Sequence, residues 1–105
     1  MSAEWLDVAA ADDVPPGGFE ILEPDDVVVA VFNVDGEFYA IEDVCTHDGA
    51  ELAGGPVDGD QVICPRHGAR FCLRTGKALT APAYEDVATF PTRVADGRAV
   101  GTGGP

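Results

Sequence analysis

The chain has 105 residues, 46% of them hydrophobic, and a formal net charge of −13. That length fits one domain with a modest core, near the size where a bound metal centre adds usefully to stability. The acidity argues against nucleic acid and anionic membranes as partners. No stretch approaches the roughly 18 to 20 apolar residues of a membrane span. The opening "MSAEWLDVAAADD" has neither the basic nor the apolar region of a secretory signal. Three cysteines are odd in number and too few for a disulfide framework, so the expected location is cytoplasmic.

The charge is unevenly placed. Residues 1–65 hold sixteen of the nineteen acids and no Lys or Arg, whereas all six basic residues follow, beside three acids. The two parts therefore carry −16 and +3, which sum to −13. Such a chain is expected to present a solvated acidic surface, partly balanced where the halves pack together. The same field can steer a basic protein partner toward one face.

Taken in order, strand signals dominate. "EWLDVAA" reads as a short edge strand, and "DDVPPGG" as a turn-rich connection. "FEIL" and "VVVAVFNV" are β-branched or alternating runs separated by "EPDD". Within "NVDGEFYAI" the Asp35-Gly36 pair is a strong hairpin signal, and it recurs as Asp96-Gly97 between "TFPTRVA" and "RAVG". Between the hairpins lies a Gly- and Pro-rich stretch, about 43 to 83. No segment keeps a 3.6-residue apolar period with caps, so little helix is expected. The tail "GTGGP" reads as frayed. The sequence predicts a small all-β domain with an irregular, loop-built insert.

That insert holds both histidines of the chain, each beside a cysteine: Cys45 and His47 in "CTHDGAEL", Cys64 and His67 in "CPRHG". A single buried cysteine or a lone histidine has an ordinary explanation as a packed core residue. Two pairs that use every histidine, each followed closely by a glycine (Gly49, Gly68), point instead to a four-ligand metal site. Two thiolates and two imidazoles suit tetrahedral zinc. Zinc modules, however, usually group like ligands together, and here each loop supplies one of each kind. That alternation equally suits a two-iron cluster with both thiolates on one iron and both imidazoles on the other.

The paired "CTH" and "CPRHG", with "FCLRTGKAL" and the "APA" loop after them, resemble the Rieske [2Fe–2S] family, most closely the small ferredoxins of bacterial ring-hydroxylating oxygenases. The flanking hairpins fit the resemblance as well. It implies an antiparallel β sandwich or barrel base formed by 1–42 and 84–105, and a rubredoxin-like cluster-binding insert at 43–83. It implies a [2Fe–2S] cluster with Cys45 and Cys64 on one iron, and His47 and His67 on the other.

Two thiolates leave the oxidised cluster neutral, whereas four would leave it negative; adding an electron is then easier, and such centres span about −150 to +300 mV. High-potential members have a disulfide between the cluster loops and Ser and Tyr hydroxyls donating to sulfur. The matching positions are Ala50 and Arg66 for the disulfide, and Ala69 and Phe71 for the hydroxyls. Lacking all of them, this chain is expected near the low end, on the order of −150 mV. Arg66 adds an opposing but solvent-screened cation.

Other residues have plainer expectations. Cys72 packs in a strand as a small apolar residue, Thr75-Gly76 makes a tight turn, and Pro82 resembles the family's cluster-covering loop. Trp5, Phe32, Phe38, Tyr39, Phe71 and Phe90 are expected in or near the core. With no further histidine for a mononuclear iron site, and no G-x-G-x-x-G after a strand, the chain is expected to be neither oxygenase nor nicotinamide-linked reductase. The resemblance implies a monomeric one-electron carrier between a flavoprotein ferredoxin reductase and a terminal oxygenase, not catalytic alone. The alternatives are a Rieske subunit of another redox system, such as nitrite reductase or iron–sulfur assembly, and a structural zinc module.

Overall fold

Strand β3 (Val29–Val34) is buried along its whole length, and the rest of the fold follows from the need to cover both of its faces. Successive strand side chains point to opposite sides. Ala30, Phe32 and Val34 enter one core cluster with Ile41, Leu52, Val62, Phe71 and Leu73, while Val29 and Val31 enter a second with Val14, Phe38 and Ala40. The computed structural model describes residues 6–23, 27–45, 51–66, 68–81, 83, 85–90, 92–95 and 97–101.

Three antiparallel sheets result. Strand β3 lies between β2 (Phe19–Leu22) and β4 (Glu37–Glu42), with β8 (Thr89–Phe90) beyond β4. A second sheet has the order β1-β10-β9, made of β1 (Leu6–Ala10), β9 (Thr92–Ala95) and β10 (Arg98–Gly101). The third, β5-β6-β7, joins Val57–Asp58, Gln61–Ile63 and Arg70–Cys72. Among the described residues the one helical element is a 3-10 turn at Ala11–Asp13, in line with the low helix content expected. Among the described residues no helix is long and apolar enough to cross a membrane.

The first Asp-Gly signal makes the hairpin it predicts. Asp35 has φ 52° and Gly36 φ 90°, the double left-handed pair of a type I′ turn, and Val34 faces Glu37 across it. Asn33, buried before the turn, uses both ends of its amide. Its Nδ2 donates to the Val14 carbonyl at 2.6 Å, and its Oδ1 accepts from Gly36 N–H at 2.8 Å. In the second signal Asp96 lies outside the described residues, and Ala95 pairs with Arg98 across a two-residue loop.

The aromatic expectations divide by depth. Phe32, Phe38 and Phe71 are buried, Tyr39 and Phe90 are half-buried, and Trp5 lies outside the described residues. "EWLDVAA" supplies β1, at an edge of its sheet and with a bulge between Asp7 and Ala9. Of the tail, Gly101 pairs with Leu6, and 102–105 lie outside.

The insert is more regular than the loop-built segment expected: Val57–Asp58, Gln61–Ile63 and Arg70–Cys72 form the third sheet, with Cys72 in a strand as expected. The late basic residues meet early acids there. Arg70 Nη1 reaches Asp58 at 3.0 Å and Gln61 Oε1 at 3.2 Å. The Arg74 guanidinium lies 5.2 Å from the centre of the Tyr39 ring and donates from Nε to Asp60 at 3.1 Å. Packing of the two unlike halves thus offsets part of the acidic charge.

Candidate metal centre

Cys45 and Cys64 each lie in a segment whose two ends are tied by hydrogen bonds. The second begins where β6 and β7 stop pairing, at Ile63 and Arg70. Beyond that pair, Cys64 N–H donates to the Ala69 carbonyl at 2.7 Å, and Gly68 N–H donates back to the Cys64 carbonyl at 3.0 Å. Gly68 has φ 76°, which a side chain with a Cβ adopts only at a cost. Cys64 therefore opens a hairpin turn that closes at Ala69. His67 itself lies outside the described residues, as does Pro82.

The first loop leaves β4 at Glu42. Asp43 N–H donates to the Val28 carbonyl at 2.8 Å, and its Oδ1 accepts from both Leu52 N–H and Ala53 N–H at 2.7 Å. The segment carrying Cys45 thus starts and ends on one carboxylate. Residues 46–50, including His47 and Ala50, lie outside the described residues.

The two loops are also held to each other. Leu52 accepts from Gly55 N–H at 3.0 Å, and Ile63, next to Cys64, donates to the Pro56 carbonyl at 2.9 Å. Gly55 sits so close that a Cβ there would stand 2.1 Å from the Ile63 carbonyl oxygen. Sequence reasoning missed both Asp43 and Gly55. An acid two residues before a cysteine, in "EDVC", is the only trace of the first, and Gly55 has no left-handed φ to mark it as a turn residue.

Cys45 and Cys64 are buried, 0% and 1% exposed, in the same apolar cluster as Leu52, Ala69, Phe71 and Ala83. None of the three cysteines is in a disulfide. Among the described residues no group of three or more His, Cys, Asp or Glu is arranged to hold a metal ion; both histidines lie outside that set. Asp43 is occupied by backbone N–H groups, so the described donors are the two thiols. Two soft thiol donors buried in one apolar cluster suit an iron–sulfur centre.

Cys72 differs from both. It is half-buried at the end of β7, outside the two core clusters, so it is less enclosed than a packed apolar residue. Burial raises its thiol, but hydrogen bonds from the Thr75 side chain and from the Thr75 and Arg74 backbone outweigh that and leave it below the ordinary thiol value. Ala69 and Phe71 are fully buried and carry no hydroxyl; Arg66 is exposed.

Residues 4–91 match the Rieske [2Fe-2S] domain. The chain is 46% identical over 92 residues to the biphenyl dioxygenase ferredoxin subunit of Pseudomonas sp. (strain KKS102), covering 87% of this chain and 84% of that one. It is 36% identical over 94 residues to the ferredoxin component of the naphthalene 1,2-dioxygenase/salicylate 5-hydroxylase systems of Ralstonia sp, covering 90% of each. Its fold matches a chain in a complex of reduced oxygenase and oxidised ferredoxin of carbazole 1,9a-dioxygenase with a TM-score of 0.91 at 36% identity, covering 97% and 95%. The chain therefore belongs to the Rieske [2Fe–2S] family, and is an electron-carrying ferredoxin with that family's two-iron, two-sulfide cluster, an electron-transfer component and not a catalyst alone.

Proposed function

We propose that this ferredoxin takes single electrons from a flavoprotein ferredoxin reductase and delivers them to the terminal oxygenase of a ring-hydroxylating system. The observation that carries this reading is the 46% identity, over 87% of the chain, to a biphenyl dioxygenase ferredoxin. The 0.91 TM-score to a chain in an oxygenase–ferredoxin complex supports the choice of acceptor. Cys45 and Cys64 hold one iron, and His47 and His67 the other. Support for the thiol half is the burial of both thiols in one cluster. Residues 43–83 form the cluster-binding part, and 1–42 with 84–105 the base.

The bound cluster supplies reversible one-electron transfer. The protein's own residues set its conditions. Leu52, Ala69 and Phe71 exclude water around the thiols, and a dry surround is one of the levers on potential. Without hydroxyls at Ala69 and Phe71, no side chain at those positions stabilises added negative charge, which favours a potential on the order of −150 mV. Exposed acids such as Asp12, Asp13, Glu20 and Glu51 make the surface attractive to basic partners, with encounter rates that fall as salt rises. The carrier works as a monomer in the cytoplasm, in small transient complexes.

Stopped-flow mixing tests the assignment. Chemically reduced protein is mixed with an oxidised biphenyl-type terminal oxygenase, and separately the oxidised protein with NADH and a biphenyl-type flavoprotein reductase. Oxidation in the first experiment and reduction in the second, each slowing with ionic strength, are expected. Electron exchange with neither protein overturns the proposal.

A further inference from the structure

Asp43 is a buried acid, 8% exposed, that the electron-carrier reading does not use. A carboxylate taken out of water costs free energy unless hydrogen bonds compensate. Here two backbone N–H groups do so at one oxygen, both at 2.7 Å, and hydrogen bonds to an ionised acceptor are the stronger kind. Those donors lie nine and ten residues further along the chain, beyond Cys45 and His47. One of them, Leu52, is fully buried in the same cluster as Cys45 and Cys64. Through Leu52 and Gly55 the contact reaches Ile63, the neighbour of Cys64. Asp43 is anchored in turn, because its own N–H donates to Val28 at 2.8 Å.

We infer that Asp43 is a positioning residue for the cluster: its carboxylate closes the Cys45–His47 loop against the Cys64 loop and holds a fixed negative charge two residues from Cys45. The inference rests on the assignment of Cys45 and His47 as ligands. Two separable consequences follow. Loss of the hydrogen-bond acceptor loosens the loop, so the cluster escapes more readily. Loss of the charge alone leaves the loop closed, and makes the cluster easier to reduce, because the added electron no longer meets a nearby anion.

The test compares three variants of the cluster-loaded protein. Asp43→Asn keeps an oxygen that can accept from Leu52 and Ala53 but removes the charge, and Asp43→Ala removes both. Cys45→Ser checks the ligand assignment. Cluster loss is followed by visible absorbance in excess chelator, and reduction potential by spectroscopic titration. Asp43→Ala should lose its cluster faster, on the order of the 10- to 100-fold by which outer-shell partners change metal affinity, or fail to retain it. Asp43→Asn should keep its full cluster with a potential above that of the wild type. An unchanged potential in Asp43→Asn, or an unchanged rate of loss in Asp43→Ala, overturns the inference. Cys45→Ser should purify without an intact cluster. If it keeps one, the ligand assignment fails whatever the Asp43 variants do, and the inference falls with it.

Discussion

Gly76 and Val87 meet backbone against backbone. Val87 N–H donates to the Gly76 carbonyl at 2.8 Å, and a Cβ on Gly76 would stand 2.1 Å from the Val87 carbonyl oxygen. Gly76 also has φ 77° and donates to the Cys72 carbonyl at 2.7 Å. The turn that the sequence marks at Thr75-Gly76 is thus also the place where the segment before β8 packs onto the turn that follows β7. Gly76→Ala carries both a left-handed Cβ and a collision, each worth about 1–3 kcal/mol. It should destabilise the folded protein by about 3 kcal/mol or more in urea denaturation. Gly36→Ala is the control: its φ is 90° with nothing within 4 Å of an added Cβ, so it should cost only about 1–2 kcal/mol. Equal losses would contradict the contact.

A low potential is the outcome expected from what Ala69 and Phe71 lack. Spectroscopic redox titration should give a midpoint on the order of −150 mV; a value above zero would sink the low-potential assignment. Ala69→Ser introduces a hydroxyl at a fully buried position, and a donor to sulfur favours the reduced, more negative cluster, so the midpoint should rise. His67→Cys should move it the other way, because a thiolate adds a negative charge.

Cys72 provides a pH signature independent of the cluster. Alkylation by iodoacetamide, read by mass spectrometry across pH, should show a midpoint below the ordinary thiol value. Burial opposes this, but hydrogen bonds from Thr75 and from the Thr75 and Arg74 backbone prevail. A depressed thiol stabilises the fold above the unfolded value, and that contribution disappears as pH falls through the folded value. Thr75→Val removes the side-chain donor and should shift the alkylation midpoint upward. An unmoved midpoint would rule out Thr75 as a cause.

Much of the base was legible because its signals are local. Strand β3 reads as an apolar run broken only by Asn33, and Asp35-Gly36 names both its turn and its left-handed backbone. Cys45 and Cys64 were legible for a different reason: each has one of the two histidines close by in sequence. Of the third sheet only the strand carrying Cys72 was legible, since strands such as Val57–Asp58 and Gln61–Ile63 are too short to express a period of two. Asp43 and Gly55 escaped for want of any pattern. A carboxylate that meets N–H groups nine and ten residues away, and a glycine chosen for closeness to Ile63 and not for its φ, are tertiary facts. The proposed ligand set pairs Cys45 and Cys64 with His47 and His67, the last two outside the described residues.

Pulsed EPR on anaerobically reduced protein, prepared with and without nitrogen-15 histidine, tests that assignment most directly. Two distinct histidine nitrogens should couple to the unpaired electron, and both couplings should change with the label. A reduced cluster with no histidine nitrogen coupling, or a colourless zinc protein without acid-labile sulfide, would contradict it.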